Sequence, residues 1–284
     1  MKNRQRVGLI AAGNVVTSLI TTLPKLRDEL GPVKATSFRL ASRISNSLGG
    51  GRPVPDFEEF NKCSLVLISV PDGTVSSTIA ELAAANVAWK RKSIALCHSW
   101  RDSSSLDALA ATGASVATLS AIPGFENHYL AEGDRLATLE LRRLADVPGH
   151  RMLLLARGAK PFYTAALLCT EGLLLPLLAA ADQCLKHAGV PPSLADSLLD
   201  RWVNKTSRAY QKGRRKSWSG PLADGDHPTT EAQLCALMER DRILAEFARN
   251  ASRVTLGFME RDPDGIFGKA PSAVAKALKH EFRS

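Results

Sequence analysis

Short continuous apolar runs punctuate the first half of the chain: Val7–Ile10, Ser64–Val70, Ser93–Cys97, Ala114–Leu119 and Arg151–Ala156. Their length and lack of alternation predict strands buried on both faces. Val33–Leu40 reads as a further strand, second in chain order. Between these runs apolar residues recur at helical spacing, over about 15–30, 74–85, 103–111 and 135–144, and Gly31-Pro32 gives the first helix its stop signal. Strand–helix alternation predicts a mainly parallel sheet with right-handed crossovers. From Lys160 onward no strand is evident. One long apolar helix is expected over Phe162–Ala188, closed by Gly189 and two prolines, and another over Ser193–Tyr210. A basic loop (Lys212–Asp226) and helices over Thr230–Arg249 and Pro271–Phe282 follow. The expected fold class is α/β, a Rossmann-type sheet (residues 1–157) followed by an all-helical domain (residues 158–284).

The stretch RVGLIAAGNVVTSL has the order strand, small-residue turn, helix that opens a dinucleotide-binding fold. A small turn lets the backbone approach a pyrophosphate, and the helix N-terminus offers free N–H groups to it. Ala11, Gly13 and Val16 stand where the fingerprint has glycines, so only the middle one is kept. Ala11, Ala12, Gly13, Asn14 and Val15 are the candidate phosphate-binding residues. The alternative is an ordinary strand-to-helix turn that binds no nucleotide.

The end of the second strand selects the cofactor. NAD enzymes place a carboxylate there. This chain has Ser42 and Arg43 and no acid, which favours pairing with a 2′-phosphate, hence NADP over NAD. The third long run leads into Val70-Pro71-Asp72, a turn expected to line the ligand crevice at the carboxyl end of a central strand.

Composition narrows the picture. The chain has 284 residues, a formal net charge of +9 and five scattered cysteines without a CxxC pair. This predicts no disulfide framework and no metal site, and buried thiols in a reducing, cytoplasmic compartment. The apolar stretch Ala165–Ala181 is interrupted by Glu171 and Pro176 and falls short of the ~20 residues of a spanning helix, so it reads as a buried helix without membrane contact. Positive charge concentrates in KTSRAYQKGRRK (Lys205–Lys216) beside Tyr210 and Trp218. Basic and aromatic residues together can grip nucleic acid, but a solvated loop on a basic protein is the favoured reading, and nucleic acid is not an expected partner. Hydride transfer asks the protein for orientation and one proton donor. His98, Tyr163 and Lys160 are the candidates: His98 ends a strand, Tyr163 opens the long helix, and Lys160 gains acidity only if desolvated. The pairs Asp224/Asp226 and Glu58/Glu59 lack histidine partners and read as solvated loops.

A Rossmann domain followed by helices resembles the superfamily of 6-phosphogluconate dehydrogenase-like reductases. Within it the chain is similar to a bacterial family with a Rossmann-like N-terminal domain and a helical C-terminal domain of unassigned function. VGLIAAGNVV, LVLISVPDGTV, CHSWRDSSSL, KPFYTAALL and SGPLADGD carry the resemblance. Val70, Pro71 and Asp72 match the family's V-P-D turn, His98 and Ser99 its H-x-S segment, and Tyr163 the tyrosine of Y-H-A-A. Gly220, Pro221, Gly225 and Asp226 match its G-P-x-x-R-G-D loop. Departures fall on polar positions: Thr164, Asp224, Gln233 and Ser120-Ala121-Ile122 replace the family's histidines, arginine and His-Pro-Leu segment. The resemblance implies an NAD(P)-dependent oxidoreductase, NADPH-preferring, acting on a small molecule in an inter-domain cleft. It also implies a homodimer through the C-terminal helices. The alternative is a catalytically degenerate homologue that serves as a dimeric binding module.

Overall fold

The first apolar run forms β1 (Val7–Ala11), buried at every residue and paired in parallel with strands on both sides. The computed structural model of the chain describes residues 6–12, 19–261, 266 and 274. Two compact units, Met1–Leu167 and Leu168–Ser284, make up the chain.

In the first unit α1 (Leu26–Glu29) precedes β2 (Leu30–Lys34), and α2 (Phe38–Leu48) precedes the short β3 (Arg52–Pro53). Then follow β4 (Leu65–Ser69), α3 (Val75–Ala84), β5 (Ser93–Cys97), α4 (Asp107–Ala110) and β6 (Ser115–Ala121). The unit closes with β7 (His128–Gly133), α5 (Arg135–Ala145), β8 (Arg151–Ala156) and α6 (Lys160–Leu167). The sheet order is β3-β2-β1-β4-β5-β6-β7-β8. All pairings are parallel except β6 with β7. Apolar layers cover both faces, which explains the uninterrupted runs. On one face Leu65, Leu67, Ala95 and Leu119 pack with Leu141 and Leu144 of α5. On the other Val66, Ile68, Ile94 and Leu96 pack with Val75, Ile79 and Leu82 of α3. Each of the valine, leucine and isoleucine side chains contributes about 1.5–3 kcal/mol by leaving water.

The second strand corrects the sequence reading. It runs over Leu30–Lys34, not Val33–Leu40, and Gly31-Pro32 lies inside it. Pairing with β1 jumps from Val7↔Leu30 to Leu9↔Val33, so Gly31 and Pro32 together face Gly8 in a bulge. A bulge is where a strand tolerates a proline without an N–H. Ser37 then caps α2, its Oγ accepting from Leu40 N at 3.2 Å, and Gly49 closes it at φ +63°. Ser42 and Arg43 therefore sit inside α2 and not at the end of β2. The antiparallel β7 was absent from the expected strands.

The second unit is helical: α7 (Leu174–His187), α8 (Pro192–Gly213), α9 (Pro221–Asp224), α10 (His227–Arg240) and α11 (Arg242–Glu260). The helix expected over Thr230–Arg249 is two helices. Asp241 ends α10 and caps α11, accepting from Leu244 N at 3.0 Å. The helix expected over Pro271–Phe282 lies outside the described residues apart from Val274. The long apolar segment is interrupted by a π-turn at Leu168–Gly172. Lys160–His187 is long and apolar enough, by length and composition, to cross a membrane, and it is not the buried helix expected. Phe162 is 81% and Leu175 67% exposed. Cys169 and Cys235 are likewise exposed, whereas Cys63 and Cys97 are buried; all five thiols are free.

Candidate functional site

Chain direction across the sheet reverses between β1 and β4, and the carboxyl ends of such strands are where ligands meet this fold. A cavity of about 300 Å³ opens there, lined by Leu19, Ser69–Asp72, Cys97–Trp100 and Ala121. Four residues named from sequence (Val70, Pro71, Asp72, His98) converge on it. Ala12 is half-buried, its N–H donating to Ser69 O at 3.1 Å, which ties the ends of β1 and β4. Ala11 is packed into the core, so its side chain is no ligand contact. Gly13, Asn14 and Val15 lie outside the described residues, as does Val16.

His98 anchors the crevice wall. Its Nδ1 accepts from the backbone N–H of Trp100 (3.1 Å) and Arg101 (3.0 Å). The ring proton of the neutral form is therefore on Nε2, 3.1 Å from Asp72 Oδ1. Burial holds the His98 pKa below its ordinary value, against the raising influence of Asp72. Arg101 Nε donates to the same Asp72 oxygen at 2.6 Å, and that bond holds the Asp72 carboxyl below the usual range. Burial pushes the Cys97 thiol up to about 12, so it is protonated and no nucleophile.

Lys160 is fully buried. Its ammonium donates to His98 O (2.6 Å) and Thr118 Oγ1 (3.1 Å). Desolvation lowers its pKa to about 8, Glu132 being the largest opposing influence. Glu132, also fully buried on β7, accepts from Ser103 N (2.8 Å), Ser103 Oγ (2.9 Å) and Gly158 N (2.7 Å). Thr118 Oγ1, opposite it in the β6–β7 register, donates at 3.4 Å. One carboxylate thus ties the turn after β5 to the turn after β8. Lys160, expected to gain acidity only if desolvated, is desolvated here, and its ammonium holds His98 from beneath the crevice wall. Tyr163, three residues along α6, is half-buried.

At the end of β2 the residues are Lys34, Ala35, Thr36 and Ser37, again without a carboxylate, and Arg39 lies in the first turn of α2. Thr36, Ser37 and Arg39 are exposed and take the place assigned from sequence to Ser42 and Arg43. Arg43 is one helical turn beyond Arg39. The cap pattern Ser37 followed by an amphipathic run was the signal that could have located this helix start. Among the described residues no group of three His, Cys, Asp or Glu could hold a metal.

The sheet order, the crevice and the helices that follow define a Rossmann-type α/β domain followed by a helical unit. Residues 1–123 match the family model of the Rossmann-like domain, and residues 128–253 that of DUF2520, a domain of unknown function. The chain thus carries both, and the second begins at β7, inside the sheet. No curated protein sequence matches the chain. Among solved structures, the V8 variant of an imine reductase from Myxococcus stipitatus in complex with NAD+ is similar over 95% of this chain and 99% of its own, at TM-score 0.68 and 15% identity. A candidate NADP oxidoreductase from Bacteroides fragilis is similar over 92% and 99%, at TM-score 0.66 and 15% identity. An imine reductase from Myxococcus stipitatus in complex with NADP+ is similar over 93% and 99%, at TM-score 0.60 and 16% identity. At such identity the likeness is one of fold.

Proposed function

We propose that the chain is an NADP-linked oxidoreductase acting on a small molecule at the carboxyl edge of the sheet. The observation that carries this reading is the crevice between β1 and β4 together with the chemistry at the end of β2. There two hydroxyls and Arg39 stand where an NAD enzyme needs a carboxylate. Thr36, Ser37 and Arg39 would hold the 2′-phosphate, and Val70, Pro71 and Asp72 would border the nicotinamide end. The cofactor, when bound, supplies the hydride. The protein's own part is to orient: Lys160 and the two amides fix His98, and His98 and Arg101 fix Asp72. Tyr163, half-buried in the first turn of α6, is the third candidate donor. The solved imine reductases with bound nicotinamide dinucleotides support the same cofactor class for this fold.

The protons of His98 and Lys160 are already committed within the protein. That observation favours, as a second reading, a binding module that has lost turnover. Nucleotide binding without NADPH consumption across a panel of carbonyl and imine substrates would separate it from the first. The exposed apolar residues of Lys160–His187, Phe162 and Leu175 foremost, support a homodimer in which a second copy covers this helix. Five free thiols fit a reducing cytoplasm.

Thermal unfolding with NADPH, with NADH and without ligand tests the main reading. NADPH at a hundred times its Kd adds about 2.7 kcal/mol to stability. A shift with neither nucleotide overturns it.

A further inference from the structure

Trp100 has a largely bare indole at the crevice: it is 61% exposed, three residues beyond β5, whose residues are all buried. It lines the cavity already described and a second one, of about 450 Å³, bounded by Asp72, His98, Trp100 and Arg101. Of the polar atoms around this second cavity, most are engaged. His98 Nδ1 accepts two backbone amides, and its Nε2 faces Asp72. One oxygen of Asp72 takes both Arg101 and His98. Arg101 is different. A guanidinium carries five donors in a planar fork, and among the described residues Arg101 is bonded through Nε, to Asp72 at 2.6 Å. That bond orients the group, and among the described residues Nη1 and Nη2 meet no acceptor. The next cation inward, Lys160, is fully buried beneath His98.

We propose that Trp100 and Arg101 form a substrate subsite for a planar aromatic carboxylate. The ring of the ligand stacks on the indole, and its carboxylate takes the Nη1–Nη2 edge of Arg101. Planarity is asked for by the indole face, and a bidentate anion by the fork. A cationic ligand would meet the like charge of Arg101 at the same place. The role of this ligand as substrate rests on the reductase reading; its binding does not.

The test uses 2-naphthoate as probe and 2-naphthylmethanol as the same ring without the charge. Each is titrated into the full chain, alone and saturated with NADP+, by calorimetry and tryptophan fluorescence. The expected result is that the acid binds at least about tenfold tighter than the alcohol, as a charge-assisted bidentate pair requires. Arg101→Gln should remove that difference. Arg101→Lys, which keeps the charge and loses the fork, should remove most of it. Trp100→Ala should weaken both compounds about fivefold or more. Circular dichroism and the urea midpoint, retained in each variant, report that the protein is folded. Equal affinity for acid and alcohol, no binding of the acid, or unchanged binding in Arg101→Lys would overturn the subsite. Binding of the acid with no response to either nucleotide would keep the subsite and remove the reductase reading instead.

Discussion

Lys160 and His98 are joined through the 2.6 Å bond from the buried ammonium to the histidine carbonyl. The lysine comes from the first residue of α6 and the histidine from the end of β5, so one bond fixes the crevice wall to the helix that leaves the sheet. Lys160→Met removes two hydrogen bonds and the positive charge that interacts with the fully buried Glu132. A loss of at least about 3 kcal/mol is expected, read as the shift of the urea midpoint. A loss under about 1 kcal/mol would show that Glu132 does not depend on this charge.

The same lysine gives stability a pH dependence. Its pKa is about 8 in the folded chain against an ordinary 10.5. Between these values the unfolded state binds more protons, so the Lys160 contribution to stability rises with pH across that window. The wild-type advantage over Lys160→Met should therefore widen from pH 8 to pH 10. An advantage that shrinks over that range would contradict the buried, depressed lysine.

His98 acts at the other end of the scale. Burial holds its pKa below 6.5, so on acidification the unfolded chain takes up the proton first. Its contribution to stability is present above pH 6.5 and is lost as the pH falls below that value. His98→Asn should flatten the thermal midpoint over pH 5 to 6.5 relative to wild type. A parallel decline in both proteins would assign the acid limb elsewhere.

Cofactor preference should follow the corrected start of α2. Arg39→Ala is expected to weaken NADPH at least about tenfold and leave NADH nearly unchanged, since only the former offers a phosphate to a charge-assisted bond. Arg43→Ala, one turn further along, should do neither. Ser37→Ala removes the helix cap and should cost about 1 kcal/mol of stability. Fluorescence titrations with both nucleotides decide the matter, and equal effects of the two arginine variants would place the phosphate differently.

Gly133 sits beside Glu132 at φ +141°, and a Cβ there would lie 2.3 Å from Val116 O. Gly133→Ala must move backbone in the β6–β7 pair, so about 3 kcal/mol or more should be lost. Chemical denaturation measures it; a near-neutral result would mean the pair can shift freely.

Leu175→Glu and Phe162→Glu place charge on the exposed apolar helix. If a second copy covers this surface, both variants sediment as monomers while wild type sediments as a dimer. A wild-type monomer at every concentration removes the homodimer.

Much of this was legible in the chain. The runs at Leu65–Ser69 and Ser93–Cys97 are continuous because both sheet faces are covered, and their ends placed Asp72 and His98 correctly at the crevice. The second strand was misread because Gly31-Pro32 ordinarily ends a structure, whereas here a bulge absorbs it. That shift carried Ser42 and Arg43 away from the end of β2 and into α2. β7 escaped notice because Glu132, an acid in the middle of a strand, breaks the apolar pattern; its four bonding partners come from three distant segments. Exposure of Lys160–His187 was invisible because apolarity alone does not say which surface covers a helix.

The Glu132 carboxylate has one more effect. The amides of Ser103 and Gly158 belong to turns, where exchange with solvent deuterium is normally fast. Both are bound to a carboxylate that water does not reach. These two turns should retain their protium about as long as the central strands do, opening only when the sheet itself unfolds.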